Sequence, residues 1–141
     1  MRTRLMQKTN LMQQITVHAL RSKIWKVLTN PDYVNQYFFQ KTVSCNWTEG
    51  SAILAVSDES GGAVSMGKVL ESVPGILLKF NFLEEHSSIY ITTTYELIVD
   101  NEGVELKLKW EGFTATTQEY FLREQHAKLL LQKIKWLSEY S

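Results

Sequence analysis

The side chains able to do chemistry are few and do not cluster in the sequence. Three histidines, His18, His86 and His126, are scattered along the chain. None forms an H-x-x-x-H or H-E-x-x-H pair, the spacings that put two ligands on one helix face for zinc. The single cysteine, Cys45, has no C-x-x-C partner, so no metal site is expected. Ser57, Ser60 and Ser65 lie near glycines but outside any G-x-S-x-G elbow, the strained turn that exposes a nucleophile. Gly61-Gly62 lacks the G-K-[ST] of a phosphate loop. Glu124 and His126 could act as acid and base on a bound molecule, but they fit a solvated helix face better. No catalytic residue and no cofactor are assigned.

The sequence is richer in large apolar side chains that are expected to face inward. Trp25, Phe38, Trp47, Phe80, Tyr95, Trp110, Phe113 and Tyr120 could line an apolar pocket, which needs only a few placed polar groups. They could equally fill a core. Thr93, Tyr95 and Tyr120 would offer hydroxyls to a ligand, or satisfy one another.

Such side chains need a scaffold. The chain has 141 residues, 44% of them apolar and 21% charged. That is one ordinary domain, with a core over about residues 11–140 and a basic tail over 1–10. A chain of this length buries roughly two-thirds of its unfolded surface and needs no disulfide or metal. Lys and Arg number 15, and so do Asp and Glu. A chain of zero net charge has no overall field for a phosphate backbone, so nucleic-acid binding is not expected. Arg2, Arg4 and Lys8 read as a solvated tail. Gln7, Thr9, Asn10, Gln13 and Gln14 break up the start, so no secretory leader is expected. No apolar run is long enough for a membrane span. The lone cysteine fits the reducing cytoplasm.

The elements follow from periodicity. Leu11, Gln13, Ile15 and Val17 alternate with polar neighbours as a strand. Ala19 to Thr29 has apolar residues at helical spacing. Asn30-Pro31 ends that helix and starts another, with Asn30 as N-cap, running to about Tyr37 or Phe38. From Lys41 the period becomes two, turning Val43, Cys45 and Trp47 one way. Strands are expected over Ala52–Val56, Met66–Ser72 and Ile76–Phe82. The longest is expected over Ser88–Val99, with Ile89, Ile91, Thr93, Tyr95, Leu97 and Val99 on one face. Past Asp100-Asn101-Glu102-Gly103, Val104, Leu106, Leu108 and Trp110 alternate with Glu105, Lys107, Lys109 and Glu111. Thr117 to Tyr140 reads as one helix, capped by Thr116 or Thr117, with a stripe of Tyr120, Ala127, Leu130, Leu131, Ile134 and Leu137. At 1.5 Å per residue its roughly 24 residues span about 36 Å, enough to cross a small sheet. The class is α+β, with helices on one face of an antiparallel sheet.

Four stretches carry a family resemblance. Ile24-Trp25-Lys26-Val27-Leu28-Thr29-Asn30-Pro31 resembles a "VWxALTDP" motif, and Tyr33 to Phe38 the helix that follows it. Gly67-Lys68-Val69-Leu70-Glu71-Ser72-Val73-Pro74 resembles "GxVxEVxP". Glu105 to Phe113 resembles "TxLxLxHxGF". Their order is similar to the SRPBCC or START-like (Bet v 1-like) superfamily, and within it to the family of activator of heat-shock-protein-90 ATPase homologue 1-like (AHSA1-like) proteins. Tyr37 stands where that family usually has Trp, and Trp110 where His is common.

The resemblance implies a helix-grip fold: a curved antiparallel sheet of about seven strands around the C-terminal helix, with two short helices after the first strand. It also implies an apolar ligand between helix and sheet, lipid-like or aromatic. Trp25, Phe38, Phe80, Tyr95, Trp110, Phe113 and Tyr120 are then the candidate walls, and Leu130, Leu131 and Ile134 the candidate floor. Two further expectations are a co-chaperone-like module that docks on a protein and a cyclase or aromatase. A monomer or weak homodimer is expected.

Overall fold

The computed structural model describes residues 8–38, 42–56, 62–84 and 88–141. Arg2, Arg4, Ser57, Ser60, Gly61 and His86 lie outside the described residues. The elements run β1 (Lys8–Val17), α1 (Arg21–Thr29), α2 (Pro31–Tyr37), β2 (Val43–Ser44), β3 (Ala52–Val56), β4 (Ala63–Val73), β5 (Leu77–Leu83), β6 (Tyr90–Asp100), β7 (Gly103–Ala115) and α3 (Thr117–Tyr140). The strands form one 7-stranded sheet in the order β1-β7-β6-β5-β4-β3-β2. Every pairing is antiparallel. The expected α+β helix-grip architecture is the one observed.

Period two explains the inner face. Leu78, Phe80 and Phe82 on β5, Ile91, Thr93, Tyr95 and Leu97 on β6, and Val104, Leu106, Leu108 and Trp110 on β7 are all buried. Interior aromatics and aliphatics of this kind each contribute about 1.5–3 kcal/mol on burial. Ile89 and Val99, which alternation puts on the same face as Ile91 to Leu97, are exposed, and so is Ile76 at the expected start of β5. Ile76 falls in the β4–β5 turn, Ile89 precedes β6, and Val99 stands beside the β6–β7 hairpin turn.

Three irregularities bend the sheet. β4 carries an extra residue opposite Ile53/Leu54 on β3 and another between Val69 and Glu71. Bulges of this kind sharpen twist and curvature. Between them the chains approach so closely that a Cβ on Gly67 would overlap the Asn81 carbonyl oxygen. The third lies in β7, where Gly112 takes φ +95° and the register with β1 shifts between Lys8 and Asn10. Strict alternation would turn Phe113 outward. The bulge resets the phase, and Phe113 and Ala115 are buried. It also makes β7, at 13 residues, longer than β6, which was expected to be the longest.

Lys41, where the next strand was expected to begin, lies outside the described residues, and of Thr42 to Trp47 only Val43–Ser44 form a strand. Trp47 adopts φ 57°, a left-handed conformation rare for a bulky residue and costing about 1–3 kcal/mol. Its N–H donates to Cys45 Sγ at 3.3 Å. The turn delivers the indole into the core against Phe38 and Phe80, and this burial offsets the strain.

Asn30 caps α2 as its sequence indicates, accepting from the Asp32 N–H at 2.9 Å. α3 opens on a capping box: Thr116 Oγ1 accepts from the Glu119 N–H and Glu119 Oε1 from the Thr116 N–H. Such a cap contributes about 1 kcal/mol. Ala127, Leu131, Ile134 and Leu137 are buried along one ridge, worth several times as much. Docking, more than capping, therefore holds the helix.

Polar ties fasten its far end. Lys135 Nζ donates to the Thr16 carbonyl and to Glu139 Oε2, each at 2.7 Å. The His18 N–H donates to the same carboxylate at 2.7 Å. Lys23 Nζ donates to the Ser141 main-chain oxygen and to the Tyr33 hydroxyl. Burial pushes the Glu139 carboxyl up, but its bonds from Lys135 and the His18 N–H outweigh this, and the net shift is downward.

Two outcomes are expected. Gly67→Ala should cost about 1–3 kcal/mol in urea unfolding, whereas a wild-type midpoint would show that the strands can part there. The lowered Glu139 carboxyl contributes stability that is complete above the ordinary carboxylate value and disappears as pH falls through the lowered one. Glu139→Gln should therefore lose stability at neutral pH and show a shallower acid decline. Parallel acid curves for the two proteins would refute this.

Candidate functional site

Sheet register assembles the site row by row. Phe80 on β5 pairs with Thr93 on β6, Thr93 with Trp110 on β7, and Trp110 with Leu11 on β1. In the next row toward the mouth, Phe82 faces Ile91. In the row behind, Leu78 faces Tyr95. Because side chains on one sheet face repeat every second residue, these rows form a continuous inner wall.

α3 closes over only part of that wall. It packs closest to β1, α1 and β7. Over β5 and β6 a cleft of about 710 Å³ remains, within the range of small-molecule sites. Its sheet side is Phe80, Phe82, Ile91, Thr93, Tyr95 and Trp110; α2 and its C-cap supply Gln36, Tyr37 and Phe38. α3 contributes Arg123, His126, Leu129, Leu130 and Lys133. That face adjoins the buried ridge and does not coincide with it.

Phe38 is the hub of the aromatic end. Its ring lies 4.9 Å from Phe82, edge to face, 5.8 Å from Phe80 and 6.1 Å from Trp47. Phe80 in turn meets Trp47 at 5.4 Å and Tyr95 at 6.4 Å. Aromatic pairs at these spacings add about 0.5–1.5 kcal/mol each beyond burial. The wall is rigid as well as apolar.

Its polar groups are few. The Tyr37 hydroxyl donates to the Leu28 carbonyl at 2.8 Å. Tyr95 and Thr93 are almost fully buried, and neither hydroxyl bonds another described residue. Burial pushes the phenols of Tyr95 and Tyr37 well above the usual range, Tyr37 also through its neighbour Tyr95. Both remain neutral. At the rim, Arg123 donates to Glu84 at 2.6 Å, joining α3 to the end of β5. The same guanidinium stacks 4.5 Å above Phe113.

Five of the ten candidate residues line this cleft: Phe38, Phe80, Tyr95, Trp110 and Leu130. Leu131 and Ile134 belong to the buried ridge of α3. Phe113 and Tyr120 pack against each other with ring centres 6.4 Å apart, and half-buried Trp25 rests on the core from α1. Thr93, expected to offer a hydroxyl, also lines it, whereas Tyr37, Phe82, Ile91, Leu129, Arg123 and Lys133 were not singled out. Alternation had already turned Phe82, Ile91 and Thr93 inward, but it does not reveal which inward residues stand beneath the helix and which beside it.

The other chemical candidates disperse. His126 is at the exposed rim, whereas Glu124 does not line the cleft. Residues two apart on a helix do not face each other, so they form no acid–base pair. The His18 ring Nδ1 lies 2.9 Å from the Glu102 carbonyl, a structural tie at the opposite end of α3. Burial raises the Cys45 thiol, partly opposed by main-chain hydrogen bonds, which suits a core residue better than a nucleophile. Among the described residues no group of three potential metal ligands occurs, and no helix is long and apolar enough to cross a membrane.

Residues 18–139 match the profile of the Activator of Hsp90 ATPase homolog 1-like protein family. No functionally curated protein matches the sequence significantly. Several solved structures share the fold. A Mesorhizobium loti protein superposes with TM-score 0.74 at 17% identity, covering 91% of this chain and 95% of its own. A Cytophaga hutchinsonii protein gives 0.72 at 22% identity, with 95% and 94% covered. The Aha1 dimer from Colwellia psychrerythraea gives 0.68 at 19% identity, with 94% and 98% covered. Motif order, sheet topology and the match over residues 18–139 agree: this chain belongs to the Activator of Hsp90 ATPase homolog 1-like family.

Proposed function

We propose that the protein binds a small hydrophobic molecule, lipid-like or aromatic, in the cleft between α3 and strands β5–β7. The cleft itself carries this reading: about 710 Å³ of space walled mainly by aromatic and aliphatic side chains. Apolar surface facing water on this scale favours any occupant that covers it, by about 25 cal/mol per Å². The neutral floor and dispersed histidines favour binding over catalysis, which would need a titratable group tuned within the cleft. A cytoplasmic setting suits the reading, since the half-buried Cys45 there needs no partner.

A second reading rests on the outward stripe of α3, which borders the cleft at Leu129 and Lys133. Leu122, Leu129, Trp136 and Tyr140 are exposed and fall on one stripe at spacings of seven, seven and four residues. Trp136 and Tyr140 stack at 6.2 Å, and Lys133 covers the indole at 5.7 Å. Exposed apolar patches of this kind mark interaction surfaces. The Colwellia relative is a dimer, so we infer a second copy of this chain as the partner, and a chaperone as the other occupant in keeping with the family.

Titration with 1-anilinonaphthalene-8-sulfonate should show saturable one-to-one binding. Leu130→Trp, which fills the cleft from the α3 side, should weaken it at least about tenfold with little change in unfolding midpoint. Unaltered binding in that variant, or none in the wild type, would defeat the cleft reading. For the stripe, light scattering should give a dimer mass that falls to a monomer mass in Leu122→Glu/Trp136→Glu. A wild-type monomer at all concentrations would defeat self-association.

A further inference from the structure

We propose that the cleft takes an anionic amphiphile, with its apolar body against the sheet and a single acidic head group, such as a carboxylate, held at the α3 rim by Lys133. The proposal rests on the cleft being a ligand site and goes further in naming the charge and orientation of the occupant.

Charge is distributed unevenly around the cleft. The lining residues of β5, β6 and β7 carry none. The charged side chains are Glu84, just past β5, and Arg123 and Lys133 on α3. Two cations against one carboxylate leave the mouth with positive charge in excess. Glu84 and Arg123 are already paired at 2.6 Å, and the Arg123 guanidinium stacks on Phe113. Lys133 has no ion pair among the described residues. Its side chain is exposed, and its ammonium stands 5.7 Å from the Trp136 ring centre. An exposed contact of that kind is weaker than a hydrogen bond to an anion. Arg123 and Lys133 are about 15 Å apart along the helix axis, so a compact head group meets only one of them. Lys133 is the one that is free.

The surroundings of Lys133 suit the neck of an amphiphile. Leu129 and Leu130, four and three residues before it, share its side of the helix and line the cleft with it. Apolar surface therefore runs up to the ammonium. The same distribution sets the orientation. An anionic head at the sheet would lose its hydration with no counter-charge. Burial pushes the Tyr95 and Tyr37 phenols up, so negative charge is disfavoured in that part of the interior. At the rim the head keeps water on one side and Lys133 on the other, while the body covers Phe80 and Phe82. A cationic head would instead meet the excess positive charge.

The test uses three fluorescent probes with one body and different heads: 1-pyrenebutyrate, 1-pyrenebutanol and 1-pyrenebutyltrimethylammonium. At low salt the butyrate should bind about fivefold tighter than the butanol, the ratio that an exposed charge pair supplies, and the ammonium should bind weakest. Added salt should narrow the gap, because the rim charges face solvent. Lys133→Gln should bring the butyrate down to the butanol, and Lys133→Arg should restore the gap. Lys128→Gln makes the same charge change at an exposed α3 residue that does not line the cleft, and should leave the gap in place. Equal binding of butyrate and butanol by the wild type, or tightest binding of the ammonium, would overturn this inference and leave the cleft reading intact. An equal loss in Lys128→Gln would overturn the role of Lys133. If none of the three probes binds, both this inference and the cleft reading fall. The wild-type series decides these cases even if a variant does not fold.

Discussion

The contact between a straight helix and a bent sheet governs the rest of this molecule. α3 is 24 residues long and cannot follow a sheet curved by bulges in β4 and β7. It therefore lies against one side, where Ala127, Leu131, Ile134 and Leu137 bury against the core, and stands away from β5 and β6. The gap is partly plugged by α2 and Phe38. What remains is the cleft. The residues that make the curvature are thus as much part of the site as those that line it. Gly67 permits a close strand approach that no side chain could share, and Gly112 turns β7 by one position so that Trp110 and Phe113 both face inward.

The interior is sorted by polarity along the sheet. Toward α2 it is aromatic, built from Phe38, Trp47, Phe80 and Phe82. Toward β7 it carries hydrogen-bonding groups at Thr93, Tyr95 and Trp110. Ordinary cores avoid unpaired polar groups because each costs a substantial part of the few kcal/mol that separate folded from unfolded protein. The Tyr37 hydroxyl, in the same layer, obeys the rule by donating to Leu28. Trp110 Nε1 is the exception among the described residues, buried with no partner.

Most of the fold was legible because its information is local. The Asn30-Pro31 cap, the α3 span and the alternation of β5 to β7 are each written in adjacent residues. What was not legible depended on contacts distant in sequence. Trp47 reads as an inward strand residue. It is inward, but through a left-handed turn that only its packing on Phe38 and Phe80 makes tolerable. Phe113 was expected inward although alternation would have turned it out, and the Gly112 bulge explains how. At the site, periodicity identified the inner face, but the line dividing cleft from core crosses that face obliquely. Leu130 falls on one side and Leu131 and Ile134 on the other, although all three belong to one apolar stripe in the sequence. The position of that line is set by sheet curvature, which local patterns do not encode.

The two halves of α3 are held differently, and this bears on how a cleft can admit anything. The C-terminal half is tied by Lys135, Glu139 and His18 and by the Lys23 contact with Ser141, near the ends of β1 and α3. The N-terminal half has the capping box, the Arg123–Glu84 pair and the stack on Phe113. A partly exposed pair of this kind contributes only about 1 kcal/mol or less. Buried ridge residues begin only at Ala127. Local opening draws on the least-packed segments, and residues 117–126 are packed less deeply than the half that follows, with Tyr120 resting on Phe113 and the core. Arg123 and His126 lie in that segment, at the mouth of the cleft, whereas Phe80, Thr93 and Trp110 are fixed by sheet register. The floor of the cleft, fixed by sheet register, is thus held more firmly than the rim above it.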